Sequence, residues 1–378
     1  MKKWILFLLV FLFPVSVFGA ELIPNAESGI LIEINSGKIL FEKEKDKEMS
    51  VASLTKMVAQ IIIMEEIEKG NIHWDDIVTA SSNASGMGGS QIYLETGEKM
   101  TVEDLMKGIS VASGNDATVA MAEYISGTEE KFVKRMNDKI KELGLKHTHF
   151  MNCTGLDEEN HYSSSYDMAM IARYLIQNHP NILKFSSIYE DYLREGTPKK
   201  FWLVNTNKLI RQYEGVDGLK TGHTNAAGYS LAATAKRNDL RLIGIVLGEK
   251  NSKVRNQETI NLLDYGFQNV EQELLRKKGT YMKLLQIPKS TRRMIPTQLE
   301  ENLVVVKEVG DKKKYDYQEE YFEIKLPLNK GDVVGKYQAF LDGNLVGEVN
   351  IIAMASSEKQ KYLPFLIQEI YQLILGKI

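Results

Sequence analysis

The hydrophobic pattern changes its period along the chain, and each change marks an element. Lys2 and Lys3 precede an apolar run over 4–13, and small residues follow around Gly19 and Ala20. That layout predicts a secretory signal peptide over 1–19, with cleavage after Gly19. Over 29–41, apolar runs on either side of Asn35-Ser36-Gly37 predict a β-hairpin. A second run, 57–64, is too continuous for a surface helix. It predicts a buried helix that starts near Ser53 and ends before Gly70. Between 75 and 127 the elements are short, with a capping-type helix start at Thr101-Val102-Glu103-Asp104 and another helix over 115–125. Residues 129–143 place Phe132, Val133, Met136, Ile140 and Leu143 on one helical side, and 167–177 form a further helix ended by Pro180. Strands return at 228–235 and 241–247 around a turn at 236–239, followed by a helix over about 254–267. Helices in the middle with strands at both ends predict an α+β domain with a mostly antiparallel sheet.

After about Glu273 the texture changes. Short strands are expected at 304–306, 321–326, 333–341 and 345–353, with Asp342-Gly343 as a tight hairpin turn. This describes a small all-β module without a catalytic constellation. In the terminal stretch 361–378, Leu363, Leu366, Ile367, Ile370 and Ile374 share a helical face, while Gln368, Glu369 and Gln372 interrupt the apolar run. The stretch is too short and polar to span a bilayer but suits a membrane interface; packing back onto its own domain is the other reading. The expected division is a signal peptide over 1–19, a main domain over 20–273, a β-rich domain over 274–357 and an amphipathic helix over 358–378.

Composition narrows the classes. A chain of 378 residues fits two domains beyond its targeting segment. The net charge of −3, with no basic stretch carrying interleaved aromatics, argues against a nucleic-acid partner. One cysteine, Cys153, excludes an intramolecular disulfide and reads as a small buried hydrophobe. No cysteine follows the expected cleavage point, so the mature protein is exported without an N-terminal lipid anchor. His147-Thr148-His149 and Glu158-Glu159-Asn160-His161 contain metal-ligand types, but their spacing matches no helix-borne zinc site, so they read as surface or loop histidines.

The chemistry starts at Ser53 and Lys56. Three positions along a helix return to one face, which sets a hydroxyl beside an amine. Lost hydration and cationic neighbours disfavour the charged amine, so it can serve as a base and activate the serine. The same Ser-x-x-Lys spacing recurs at Ser356 and Lys359 in a different context, so alone it decides nothing. Two further motifs change that. Ser113-Gly114-Asn115 opens a helix, and Lys220-Thr221-Gly222 precedes His223. Ser-x-x-Lys, Ser-x-Asn and Lys-Thr-Gly in that order form the signature set of serine β-lactamases and penicillin-binding proteins.

On these motifs the chain resembles the low-molecular-mass penicillin-binding proteins, serine-type D-alanyl-D-alanine carboxypeptidases. The likeness extends to Gly89-Ser90-Gln91, to Asn152 with Thr154-Gly155-Leu156, and to His161-Tyr162-Ser163 with Tyr166-Asp167. It implies a β-lactamase-like catalytic domain, a β-rich second domain and a membrane-anchoring tail at the outer face of the cytoplasmic membrane, with no cofactor and no metal. Ser53 would attack the bond between the terminal D-alanines of a peptidoglycan stem peptide, with Lys56 as base. Backbone N–H groups of Ser53 and of the strand carrying His223 would hold the oxyanion. Ser113 would relay a proton to the leaving D-alanine, and Asn115 would hold Lys56 and the substrate amide. Lys220 would add positive potential and suppress the charge on Lys56. Thr221, Gly222, His223 and Arg255 would line the substrate site, with Thr221 and Arg255 at its terminal carboxylate. Penicillins would bind covalently and persist, since no Glu-x-x-Asn lies between Ser113 and Lys220 and Gly114 stands where class A β-lactamases carry aspartate. A DD-endopeptidase cutting cross-links with the same residues stays open as the alternative.

Overall fold

Successive residues of the first apolar strand enter different cores. Ile30 and Ile32 belong to one, Leu31 to another, and all three are fully buried. The strand is therefore covered on both faces, which explains an unbroken apolar run where a half-exposed strand would alternate. The structure, a computed structural model, describes residues 22–360 together with Ile370, Tyr371 and Ile374. The expected signal peptide over 1–19 lies outside the described residues, as does most of the tail; Ile370, Tyr371 and Ile374 are helical and exposed.

The main sheet is antiparallel and has five strands, in the order Ile39–Lys43, Ser28–Glu33, Leu240–Glu249, Gly228–Arg237 and Val216–Thr224. The N-terminal hairpin thus completes a sheet whose other strands come late in the chain. The intervening helices cover one face, where Ile243, Ile245 and Leu247 point. The Ser252–Asn269 helix contributes Leu262 and Leu263 to the other core, with Leu242 and Val246. On the helical side, the Lys56–Glu68 helix is buried without a break from Lys56 to Met64. Its apolar side chains are each worth about 1.5–3 kcal/mol on full burial, so this helix is held by packing. The amphipathic helix is Glu129–Glu142; its N-terminus is closed by Thr128, whose hydroxyl accepts from Lys131 N–H.

The second region is all β. Val270–Arg276 pairs with Leu303–Glu308, and a five-stranded sheet follows in the order Tyr281–Gln286, Met294–Leu299, Asn344–Ala353, Val333–Leu341, Asp316–Tyr321. Its core is separate and includes Ile295, Leu299, Val334, Ala339 and Ile351. Three expectations need correction. The break after Glu273 falls inside a strand, because Val270–Arg276 carries Val270 into the main domain's core and Leu275 against the second. The strand expected at 321–326 is instead Asp316–Tyr321, almost wholly exposed at the sheet edge. An edge strand is kept charged and polar, so apolar content pointed to the wrong residues. The turn at 236–239 is tighter than expected, since the strands run to Arg237 and restart at Leu240.

Candidate active site

Ser53 sits in a single turn of 3-10 helix, Ala52–Thr55, that feeds directly into the Lys56–Glu68 helix. Ala52 has φ +47, in the left-handed region a non-glycine residue occupies only at some cost. Neighbouring backbone closes on this turn from two sides. A side chain on Gly155, itself at φ +83, would collide with the Ala52 carbonyl. One on Gly222 would stand 2.8 Å from the Val51 carbonyl oxygen and 2.9 Å from a Leu54 methyl. The glycine of Lys-Thr-Gly is thus explained by close approach: anything larger pushes its strand off the serine turn.

The amine of Lys56 is fully buried. Its Nζ lies 2.6 Å from Asn115 Oδ1, 2.6 Å from the Thr154 carbonyl oxygen and 2.8 Å from Ser53 Oγ. Burial lowers its pKa to about 7, although the charges of Cys153 and Asp116 pull the other way. A neutral amine has two N–H donors and one lone pair. Here the two carbonyl oxygens take the donors, and the lone pair is left for the Ser53 hydroxyl proton. That is the arrangement of a nucleophile with its general base.

Asn115 opens the Asn115–Ser126 helix, its backbone N–H donating to Ser90 O (2.7 Å) and its side-chain amide to Gly88 O (2.7 Å). A side chain on Gly89, at φ +80, would stand 2.8 Å from that amide nitrogen. Next in sequence, the buried Asp116 carboxylate accepts from the backbone N–H groups of Ile92, Leu94 and Ala117. These contacts fasten the 88–94 loop to the helix start. Asn152 does the equivalent for Thr154: its Oδ1 accepts from Thr154 N–H, Thr154 Oγ1–H and Gly155 N–H. The Thr154 carbonyl is thereby held towards Lys56.

Ser113 follows a π-turn, Gly108–Ala112, and has φ +61. It is 3 % exposed, and its hydroxyl has no hydrogen-bond partner among the described residues. An unpaired buried hydroxyl typically costs about 1–3 kcal/mol unless a ligand meets it. Lys220 is buried and donates to the Thr221 carbonyl oxygen (2.9 Å). Burial depresses its pKa well below the usual lysine value, and the charges of Lys56 and Arg255 add to that. Burial is the main cause at both lysines, and the repulsion between the two amines is mutual, so each disfavours the charge on the other. Arg255 is 4 % exposed, and burial takes its guanidinium down to about 10. It donates, among the described residues, only to Asn256 Oδ1, at 3.1 and 2.8 Å. Among the described residues no carboxylate bonds to Lys220 or Arg255, so the cluster is suited to an anionic ligand.

The Thr221 hydroxyl donates to Thr206 Oγ1 (2.7 Å), whose backbone reaches Val111 O. His223 is exposed and lies against the Tyr229 ring, centroids 3.9 Å apart. Thr206 and Tyr229 had no motif to announce them; Thr154 fell within the family likeness at Asn152, Thr154, Gly155 and Leu156, but nothing there singled out its carbonyl. The remaining histidines have separate partners. His161 Nδ1 accepts from Met151 N–H, so its proton sits on Nε2 and is donated to Thr55 Oγ1. Burial lowers its pKa to about 4, and the charge of His149 acts in the same direction. His147 faces Glu48, and His149 faces the Asn160 carbonyl. Cys153 is buried, and its thiol is pushed up by burial and by Glu129.

Known proteins share this layout. Residues 20–251 match the peptidase family described as D-alanyl-D-alanine carboxypeptidase, and 271–359 match the C-terminal domain of penicillin-binding protein 5. The chain belongs to the peptidase S11 family. It is 44% identical to the D-alanyl-D-alanine carboxypeptidase DacF of Bacillus subtilis, over 92% of this chain and 90% of that one. The solved penicillin-binding protein 5 of Haemophilus influenzae superposes with a TM-score of 0.71 at 33% identity, covering 88% of this chain and 98% of that one. Penicillin-binding protein D2 of Listeria monocytogenes, solved in its ampicillin-bound form, matches with a TM-score of 0.58 at 30% identity, over 64% of this chain and 98% of that one. Members of S11 are serine hydrolases, and this chain is one of them.

Proposed function

We propose that the protein removes the terminal D-alanine from peptidoglycan stem pentapeptides through an acyl-enzyme on Ser53. The observation that carries this is the buried Lys56 amine 2.8 Å from Ser53 Oγ, where burial lowers its pKa to about 7 and so frees a lone pair for the serine proton. Lys56 takes the hydroxyl proton as Ser53 Oγ attacks the carbonyl between the two D-alanines. The oxyanion is held by the backbone N–H groups of Ser53 and of the strand carrying His223, each typically worth about 3 kcal/mol. Ser113 passes a proton to the departing D-alanine amine, and Asn115 keeps Lys56 aimed while meeting the substrate amide. Lys220, Thr221 and Arg255 receive the terminal carboxylate, whose negative charge also restores the protonated form of Lys220. Water then hydrolyses the ester. With a β-lactam the same attack opens the ring, and the ester persists because no Glu-x-x-Asn motif lies between Ser113 and Lys220 to drive deacylation.

The site works on a substrate outside the cytoplasm, so residues 1–19 act as an export signal. The expected helix start at 358 is corrected, since Glu358, Lys359 and Gln360 pair with 289–291 of the β domain. The tail over 361–378 then rests its Leu363, Leu366, Ile367, Ile370 and Ile374 face on the outer leaflet of the cytoplasmic membrane. Among the described residues no helix is long and apolar enough to cross a membrane.

Two measurements test this reading. Incubation with purified muropeptides should release one D-alanine per pentapeptide; conversion of cross-linked dimers to monomers would point to the endopeptidase instead. Ser53→Ala should lose both this turnover and covalent penicillin labelling, and adduct found elsewhere on that variant would refute the assignment.

A further inference from the structure

The chain leaves the β domain through one end of its sheet, and three segments are tied together there. Leu328 and Ser357 exchange backbone hydrogen bonds of 2.8 Å, Thr291 N–H donates to Glu358 O, and Gln360 N–H donates to Lys289 O. Arg292 N–H donates to Ser357 Oγ. The stretches 287–294, 322–333 and 353–360 thus form one fixed plate, and the amphipathic tail starts from it.

Two properties set this plate apart. It carries exposed apolar side chains on neighbouring strands: Leu284, Met294, Phe322, Val333 and Met354 are 48, 47, 39, 43 and 38 % exposed. They are contiguous through the register. Leu284 lies opposite Pro296, the Pro296 carbonyl accepts from Met354 N–H, Val333 lies opposite Ile352, and Phe322 N–H bonds to Val334 O. Their sequence neighbours Ile295, Val334 and Ala353 point into the core, so the pleat turns these outward. The plate is also basic. Its three segments hold six basic residues against three acidic ones, in a chain whose net charge is −3. Lys289, Arg292, Lys325, Lys330 and Lys359 are all exposed.

We propose that this end of the β domain is a second membrane contact. Phe322, Met354 and their apolar neighbours enter the headgroup layer of an anionic bilayer, and the lysines and Arg292 pair with lipid phosphate. The tail emerging from the same plate delivers it to the surface, so the proposal rests on the tail lying on a bilayer. An interfacial helix by itself gives reversible attachment, and a basic patch beside it is the usual second signal for stable anchoring. Two contacts would also fix the angle at which the β domain stands on the surface, which a single contact cannot do.

The experiment uses the full chain. Partition into phosphatidylglycerol and phosphatidylcholine vesicles is compared for the parent protein and a Lys289→Glu/Arg292→Glu/Lys330→Glu variant. Each basic residue near an anionic surface adds about fivefold to binding, so the variant should bind phosphatidylglycerol vesicles at least tenfold more weakly, with unchanged hydrolysis of a soluble D-Ala-D-Ala peptide. Phe322→Trp should be quenched by brominated lipid, and Leu345→Trp, at the hairpin 51 % exposed at the other end of these strands, should not. Equal partition of parent and variant, or no quenching at position 322, would overturn the proposal while leaving the tail as anchor. Parent protein that binds no vesicles overturns both. A dimer that hides the patch without lipid assigns the surface to a second copy instead. If the triple variant fails to fold, the quenching pair decides.

Discussion

The two sides of the catalytic cleft are finished to different degrees in the free protein. Around Lys56 each polar group already has its partner: Asn115, Thr154 and Ser53 surround the amine, and Asn152 and Asp116 fix the loops behind them. On the carboxylate side the reverse holds. Among the described residues the Ser113 hydroxyl has no partner and Arg255 donates only to Asn256, while Lys220 is buried near the Lys56 amine and the Arg255 guanidinium. The first side is preorganised, so proton transfer needs no rearrangement when substrate arrives. The second is held in an unfavourable electrostatic state that an anion relieves, which turns binding energy into selection for a free carboxylate.

The sharpest way to break this comparison is to exchange each lysine for arginine. Lys56→Arg should lower the acylation rate by about 10²–10⁴-fold, the usual value of a positioned general base, because a guanidinium stays protonated. Lys220→Arg keeps a cation at the carboxylate side and should retain measurable acylation. Stopped-flow acylation with a chromogenic β-lactam reads both, and equal losses would mean the two sides do not differ as described.

A smaller effect is expected at Arg255. Truncation to alanine removes a charge-assisted pair worth about 1.5–3 kcal/mol, so KM for a D-Ala-D-Ala peptide should rise about 10- to 100-fold with kcat changed less. A loss confined to kcat would place Arg255 on the proton-transfer side. The pH profile sharpens the contrast further. Lys56 must be neutral to accept the serine proton, and its pKa is lowered to about 7. Below that, kcat/KM should fall about tenfold per pH unit, and above it should level. The bound carboxylate must also hold Lys220 protonated against its depressed pKa, so KM should rise with pH. A profile flat between pH 5 and 8 would contradict a buried-amine base.

The smallest change is at Thr206, which accepts the Thr221 hydroxyl. Thr206→Val should alter KM by about 2- to 10-fold, the scale of one neutral hydrogen bond, and leave penicillin acylation close to normal. An effect as large as that of Lys56→Arg would make Thr206 part of the proton path.

Residue identity alone was enough to mark Ser53, Lys56, Ser113, Asn115 and Lys220, because each contributes a functional side chain within a short, ordered motif. It was also enough for the buried helix 57–64 and for the strands at 228–235 and 241–247, whose apolar runs are long. Three things escaped it. The Thr154 group that binds Lys56 is a backbone carbonyl, which any residue type could present there. Thr206 and Tyr229 act through neighbours across the sheet and the cleft. The edge strand Asp316–Tyr321 is polar because its outer side faces water, so its composition resembles a loop.

What the chain order determines, then, is which atoms take part: a hydroxyl and an amine one helical turn apart, a serine and an amide before a helix, and a lysine on a strand. What only the tertiary structure decides is their protonation and reach. Lys56 and Ser53 are adjacent in any helix, but a solvated lysine amine is almost wholly protonated near neutral pH and cannot accept the serine proton. Folding removes its water, brings Asn115 and Thr154 to its two donors, and lets Gly222 and Gly155 close backbone against the serine turn. Desolvation is a property of everything packed around an atom, and so it cannot be read from any stretch of residues alone.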